Sequence, residues 1–250
     1  MKITIMGSGP SYGIPSLTRG FGDCDASNPK NIRTRSSILV QEKKTTLLID
    51  TSPEIKAQLW EQNSPHIDAL LYTHMHYDHC GGAEDIKKMI LDRKEHLDVY
   101  AQKKDIETLL DKFDYVFKKE DLFQMKPLKM YHTFQIGDLN IVPVPQKHGN
   151  ITSVGYRIGD VAYSTDLKSM TEKGWETLKG IDTWILGCPS TKENKKHVHL
   201  ELALKWIEKL APKRAYLTHL GLHMDYETLT KSLPKNVFPG YDGLIIENKT

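Results

Sequence analysis

The segment Leu70-Leu71-Tyr72-Thr73-His74-Met75-His76-Tyr77-Asp78-His79-Cys80-Gly81-Gly82 packs three imidazoles and a carboxylate into six positions, 74–79. Neutral imidazoles and carboxylates are the donors that zinc, manganese and iron prefer, so this spacing points to a transition-metal site. The apolar run before His74 reads as a strand. Alternation at a strand end turns His74 and His76 to the same side. Asp78 and His79 follow in a turn, free to face a second point a few Å away, and the Gly pair opens a helix. A chance cluster of surface histidines is the competing explanation, and the strand-to-helix junction counts against it.

Such a cluster needs a rigid frame, and short apolar, β-branched runs supply one. Strands are expected at Lys2–Met6, Ser37–Gln41, Thr45–Asp50, Ala69–Thr73, Leu97–Ala101, Leu139–Val144, Ser153–Ile158, Val161–Ser164, Thr183–Gly187, Arg214–Thr218 and Leu244–Glu247. The second and third flank a polar turn and read as a hairpin. Helices are expected at Ser52–Gln62, Ala83–Lys94, Ile106–Phe113, Ser169–Lys179, Leu200–Leu210 and Tyr226–Leu233. The clearest amphipath is Leu200–Leu210, with Leu202, Trp206 and Leu210 at helical spacing beside Glu201, Lys205 and Lys209. This interleaving predicts an α/β (α+β) chain: two sheets face to face with helices outside. No repeat or linker divides residues 1–250, so one domain is expected.

Composition narrows the function. With 250 residues, 26% charged and a formal net charge of +2, the chain carries no global signature of a nucleic-acid or membrane binder. Three cysteines, Cys24, Cys80 and Cys188, form no Cys-x-x-Cys pair, which argues for a reducing compartment and against a zinc ribbon. The N-terminal apolar run is too short for a signal peptide, and a cytoplasmic protein is expected. The cluster Lys30, Arg33 and Arg35 reads as solvated surface. Its rival is a nucleic-acid-binding protein that holds phosphates there.

The 74–79 segment resembles the signature of the metallo-β-lactamase superfamily, whose fold is a four-layer αβ/βα sandwich with the metal site at one edge. The resemblance implies further ligands, each at the end of an apolar run: His148 in Pro145-Gln146-Lys147-His148-Gly149, Asp166 closing Ala162–Asp166, and His219 closing Ala215–His219. Carried over, His74, His76 and His148 would hold one divalent ion, and Asp78, His79 and His219 a second. Asp166 would bridge the two. The ions would be zinc or manganese, with iron as a third option, activating water and polarising a phosphoryl or carbonyl oxygen. Asp50, ending Leu47-Leu48-Ile49-Asp50, resembles a family aspartate that orients a ligand histidine; a turn-capping carboxylate is the equal alternative.

Within the superfamily the chain is most similar to the PhnP-type cyclic phosphodiesterases. The likeness includes Gly7-Ser8-Gly9-Pro10-Ser11-Tyr12-Gly13-Ile14-Pro15, Asn28–Asn31, Arg35-Ser36-Ser37 and Tyr241-Asp242-Gly243. It implies that the Gly-rich loop lines the substrate cleft, with Ser8, Gly9 and Ser11 as contacts. His197 is implied as general acid to the leaving group or as a phosphate contact, alongside Asp78 in the catalytic step; His199 is its rival. Ribonuclease Z shares the ligand set but carries a tRNA-gripping arm between the counterparts of His148 and Asp166. Seventeen residues lie there, 149–165, which argues against long nucleic acid. The PhnP type also holds a structural zinc on N-terminal cysteines and a histidine three residues beyond the last metal histidine. Here only Cys24 remains and that position is Leu222, so this zinc is not expected. The leading expectation is a phosphodiesterase acting on a small cyclic or nucleotide-like phosphodiester. A thioester or lactone hydrolase is the alternative, and a homodimer stays open.

Overall fold

The structure, a computed structural model, describes residues 1–118 and 122–248. The first half runs β1 (Lys2–Gly7), β2 (Ser37–Glu42), β3 (Thr45–Ile49), α1 (Ile55–Glu61), β4 (Ala69–Leu71), α2 (Tyr77–Cys80), α3 (Ala83–Arg93), β5 (Leu97–Ala101), α4 (Lys103–Lys112), α5 (Asp114–Phe117) and β6 (Phe123–Pro127). The second half runs β7 (Phe134–Ile136), β8 (Leu139–His148), β9 (Ile151–Ile158), β10 (Val161–Ser164), β11 (Ser169–Met170), α6 (Glu172–Leu178), β12 (Thr183–Gly187), α7 (Leu200–Leu210), β13 (Arg214–Thr218), α8 (Tyr226–Ser232), β14 (Val237–Pro239) and β15 (Leu244–Glu247). One sheet has the order β15-β1-β2-β3-β4-β5-β6. The other has β11-β8-β9-β10-β12-β13-β14, with β7 beside β8.

Strand alternation sorts the core into three layers. Ile3, Ile5, Leu47, Ile49 and Leu71 face Tyr156, Tyr163, Ile185 and Tyr216 of the opposite sheet. The intervening Leu39, Leu48, Leu70 and Val99 face α1, α3, α4 and α5 through Ile55, Leu59, Ile86, Ile90, Leu109 and Val116. On the far side Trp184, Leu186 and Leu217 meet Trp175, Ala203, Ile207 and Leu229 of α6, α7 and α8. Strands buried on both faces read as unbroken apolar runs, which is why Leu47–Ile49 and Ala69–Leu71 stand out. The result is the αβ/βα sandwich of the metallo-β-lactamase fold. Among the described residues, no helix is long and apolar enough to cross a membrane.

Two sequence expectations shift in the structure. β8 continues past Val144 to His148 despite Pro143 and Pro145, because β9 pairs with it from Ile141 to His148 on one side. On the other side β7 and β11 leave positions 142–145 without a partner strand, so the prolines interrupt no ladder there. The helix expected from Ser169 begins at Glu172. Ser169 and Met170 pair with β8 instead, and Thr171 caps α6 by accepting from the Gly174 N–H at 3.1 Å.

Candidate metal centre

Strand ends from both sheets converge on one edge of the sandwich. β3 delivers Asp50, β4 delivers Thr73 and His74, β8 ends on His148, β10 leads to Asp166 and β13 leads to His219. Cross-sheet hydrogen bonds fasten this edge: Tyr156 Oη donates to the Tyr72 carbonyl (2.6 Å), and the Val154 N–H to the Thr73 carbonyl (2.8 Å). Asp50, Asp166 and His219 all adopt left-handed backbone, with φ of 64°, 49° and 57°. Asp and His tolerate that region better than most side chains, yet such positions cost on the order of 1–3 kcal/mol and persist where the surroundings over-determine them. Three of them on one edge mark a site whose geometry the fold enforces.

His76 ends the extended stretch, and α2 turns Asp78 and His79 inward; both are buried. A Cβ on Gly82 would lie 2.2 Å from the Ser52 carbonyl oxygen, so only glycine lets this turn close on the β3–α1 connection. Two groups result. His74, His76, His148 and Asp166 each offer a donor atom, all within 4.8 Å of one another, and Asp78, His79, Asp166 and His219 do the same. Asp166 belongs to both. Its Oδ2 lies 3.2 Å from His74 Nε2 and 3.1 Å from His79 Nε2, and its Oδ1 lies 3.1 Å from His219 Nε2.

What surrounds the imidazoles decides which nitrogen faces inward. His79 Nδ1 sits 2.6 Å from Asp50 Oδ2, and His148 Nδ1 sits 3.1 Å from the Lys196 carbonyl. Ser36 Oγ donates to the Gly9 carbonyl and so accepts from His219 Nδ1 at 3.0 Å. Thr73 Oγ1 donates to Asp50 Oδ2 and accepts from His74 Nδ1 at 3.1 Å. In these four rings Nδ1 is turned outward to a partner and Nε2 faces the cluster, the arrangement that orients metal-binding histidines. His74 Nε2 then faces His76 Nδ1 at 2.9 Å, and the buried His79 Nε2 and Asp166 Oδ1 have no hydrogen-bond partner. Buried polar atoms left unpartnered cost about 1–3 kcal/mol each, and a divalent cation is what this donor set fits. Asp50 thus does more than cap a turn. Thr73, Ser36 and the Lys196 carbonyl are the orienting groups that sequence reasoning missed; single hydroxyls and carbonyls leave no spacing pattern.

Electrostatics follow the same geometry. Burial raises the cost of ionising Asp166, but His219 and His79 outweigh it and hold the carboxyl well below its usual range. Burial likewise opposes ionisation of Asp78, and His79 overrides it, so Asp78 too stays a carboxylate. His76 is lowered to about 4, by burial first and then by His74 and His148. Burial lowers His148 as well. The neutral imidazoles of His76 and His148 beside ionised carboxylates suit a cation, whereas His79, raised well above its usual range by Asp78, Asp50 and Asp166 despite its burial, would release a proton on binding one.

His197 lies against this cluster, its ring 4.7 Å from that of His148 and 5.5 Å from that of His219, with Nδ1 3.4 Å from Asp166 Oδ1. His199 makes no ring or ion-pair contact with the cluster among the described residues; it precedes α7 as its N-cap. Ser8 is fully buried, and its hydroxyl donates to Asp242 Oδ1 (2.7 Å), which fastens the C-terminal segment. Gly9 is buried too and acts through its carbonyl on Ser36; a Cβ there would meet the Arg33 and Thr34 carbonyls at 2.7 Å. Ser11 is exposed. Asp242 Oδ2 also accepts from the Thr34 N–H (2.6 Å), so Tyr241-Asp242-Gly243 is a structural clasp.

Cys24 is buried with Ile14 and Leu222, its Sγ 3.5 Å from the Leu222 carbonyl. Beside it the buried Arg33 guanidinium bonds to Asn31 Oδ1 (2.9 Å) and the Met224 carbonyl (2.8 Å), while His223 turns outward to Asp23. One thiolate beside a guanidinium cannot close a tetrahedral zinc site. Cys24→Ser should therefore leave metal content unchanged and shift stability by no more than about 1 kcal/mol, as elemental analysis and urea unfolding will read. Loss of one zinc per chain would contradict it.

Comparison with known proteins agrees with this geometry. The family model described as the beta-lactamase superfamily domain matches residues 45–220. The crystal structure of a new diphosphatase from the PhnP family superposes with a TM-score of 0.92 at 30% identity, covering 99% of this chain and 98% of that one. A Porphyromonas gingivalis protein named octanoyltransferase is 32% identical over 259 residues, covering 100% of this chain and 52% of that protein. Ribonuclease Z of Methanopyrus kandleri is 29% identical over 133 residues, 52% of this chain and 46% of that protein. The chain spans about half the length of these curated relatives.

Proposed function

Because the chain belongs to the metallo-β-lactamase superfamily, close to its PhnP type, we propose that it is a phosphodiesterase acting on a small phosphodiester at a two-cation site centred on Asp166. The observation that carries this reading is the pair of donor groups sharing Asp166, with the imidazole Nε2 atoms turned inward. His74, His76, His148 and Asp166 would hold one divalent ion, and Asp78, His79, Asp166 and His219 the other. When bound, such a pair supplies Lewis acidity toward a phosphoryl oxygen and a nucleophile from water at neutral pH. The chain's own residues do the rest. Asp50, Thr73, Ser36 and the Lys196 carbonyl lock the imidazole orientations. Asp78, kept ionised by His79, accepts a hydrogen bond from the attacking water, and His197 stands where a phosphoryl oxygen or leaving group would lie.

A small substrate is favoured over tRNA by the β8–β9 connection. Gly149 and Asn150 close the hairpin alone, where ribonuclease Z carries its arm. Acyl transfer supplies a second reading, hydrolysis of an acyl thioester, because the P. gingivalis octanoyltransferase matches this chain throughout. About half of that protein lies outside the match, room enough for its named activity.

The test uses protein loaded with manganese or zinc. Bis-p-nitrophenyl phosphate should be cleaved with about two ions bound per chain, chelator should abolish the reaction, and either metal should restore it. Octanoyl-thioester cleavage should be far slower. The opposite order of preference would replace this reading with the acyl one, and one ion per chain would sink the two-cation site.

A further inference from the structure

On the Asp78 and His219 side of the cluster, a pocket of about 300 Å³ lies between the 12–19 loop, Arg35 and Leu222. Three links place it beside the metal centre. Leu222 follows His219 by three residues, and Ser36, next to Arg35, bonds to His219 Nδ1 at 3.0 Å. Arg35 is held charged by Glu54 first, with Tyr77 and then Asp78 adding to the effect. Tyr12, Leu17 and Leu222 give the pocket apolar walls, and among the described residues no carboxylate or side-chain amide lines it. Tyr12 is 46% exposed and Leu17 wholly so, which puts two large apolar groups in water at the rim of one pocket.

The loop that presents them is fastened at both ends. Ser16 and Gly20 exchange two backbone hydrogen bonds (2.7 and 2.9 Å), and Ser16 Oγ accepts from the Arg19 N–H at 3.2 Å. Below this turn, Ile14 and Arg33 exchange another pair (2.8 and 2.9 Å). Beyond it, Gly22 presses on the segment that follows His219. A Cβ there would lie 2.7 Å from Leu222 Cβ, and the Asp23 N–H donates to the Leu222 carbonyl at 2.9 Å. The Tyr12 hydroxyl comes within 3.4 Å of where a Cβ on Gly221 would sit, so Tyr12 reaches across to the same segment. A closed turn therefore holds Leu17 out in water, an exposure that an apolar ligand would relieve. Arg35 offers no free fork to such a ligand, because Glu54 takes both its Nε and its Nη2.

We propose that this pocket receives an aliphatic arm of the substrate, ester-linked to the phosphate that is cleaved. The preferred substrates are then phosphodiesters that carry an alkyl or acyl chain on one side. At about 30 Å³ for each water-sized group, the pocket has room for roughly ten methylenes. Arg19 and Arg35 beside it suit the negative charge at the head of such a chain. A nucleobase fits less well, since its polar edge would meet no amide or carboxylate there and would be left without partners. The proposal rests on the phosphodiesterase reading above and specifies its substrate class.

The p-nitrophenyl esters of methyl, butyl and octyl phosphate share one scissile bond and differ only in the chain. With metal-loaded protein, kcat/KM should rise by at least about 30-fold from methyl to octyl, mainly through KM, since each fully buried methylene is worth roughly fourfold. In Tyr12→Ser/Leu17→Ser the three esters should be cleaved equally, at the native methyl-ester rate and with native metal content. Leu17→Ser alone, at a side chain wholly exposed in the fold, should already flatten the series several-fold. A flat series in the native protein, or a slope that survives both variants, overturns the proposal. So does a p-nitrophenyl ester of thymidylate that outruns the octyl ester and loses its advantage in the double variant, because the pocket would then serve a nucleobase. If no ester is cleaved, the phosphodiesterase reading fails, and calorimetry with octyl phosphate against methyl phosphate, below the concentration at which micelles form, still decides the pocket. Tighter binding of octyl phosphate, lost in the double variant, supports it. Equal binding, or a difference that survives the substitutions, overturns it.

Discussion

Replacing Asp166 by Asn should empty the site and abolish activity while leaving the fold intact. The side chain is buried, and its two oxygens contact four imidazoles within 3.4 Å: His74 and His79 through Oδ2, His197 and His219 through Oδ1. It is the residue common to both donor groups. Asn keeps the volume but removes the anion that would offset the two proposed dications and substitutes an N–H₂ donor for one acceptor oxygen. Several kcal/mol of charge stabilisation disappear with it. At tenfold per about 1.4 kcal/mol, turnover should fall by at least about 10³-fold. Metal content should drop from about two ions to less than one per chain. Chelator should lower the melting temperature of the native protein and leave that of the variant unmoved, because linkage to a bound ion has gone. Two retained ions with native activity would show that Asp166 lies beside the site without serving it.

How much of this was legible before folding depends on how local each feature is. The 74–79 cluster is contiguous, so residue type and strand alternation suffice to mark it. His148, Asp166 and His219 lie at the ends of separate strands, and only sheet order brings them together: β4 belongs to one sheet, while β8, β10 and β13 belong to the other. Without a resemblance, no spacing links them. The orienting groups were the least visible, since Thr73 and Ser36 act through one hydroxyl each and Lys196 through a backbone carbonyl. The resemblance implied substrate contacts from Ser8, Gly9 and Ser11; the Ser8 hydroxyl is bound to Asp242 and the Gly9 carbonyl accepts from Ser36, which leaves Ser11 exposed.

The fold shows the same division between local and long-range information. Interior strands such as β3, β4 and β12 are buried on both faces and announce themselves as apolar runs. β6, β7 and β14 went unseen. β6 and β14 are sheet edges, where polar residues, prolines and short lengths are tolerated because one side needs no partner, and β7 is a three-residue strand at the margin of β8. The longer helices were recovered from amphipathic spacing, as in α7, where Ala203 and Ile207 are buried and the exposed Glu201 and Lys205 bond at 2.7 Å, whereas the four-residue α2 and α5 were not.

The resemblance leaves His197 as general acid or phosphate contact, and its substitution is the sharpest test between the two. A general acid must be protonated before the leaving group departs. Burial lowers the His197 imidazole to about 3, with Asp166 opposing and His219 and His148 adding to the shift. Nearby dications would lower it further. Since an acid is active below its pKa and is lost as pH rises through it, His197 is neutral near pH 7. That favours the second of the two roles, a neutral N–H donor to a phosphoryl oxygen. His197→Ala should retain full metal content and lose about 10²–10³-fold in kcat, the effect of deleting one such donor. The loss should be equal for a p-nitrophenolate ester and for an unactivated alkyl ester, because no proton goes to the leaving group from this residue. His197→Gln should recover part of the activity, since an amide N–H can donate but cannot act as an acid. The pH profile of the native enzyme should show no fall between pH 5 and 8 that the Ala variant lacks. A loss confined to the alkyl ester, with no rescue by Gln, would restore the general acid and would require bound substrate to raise the imidazole's pKa toward neutrality.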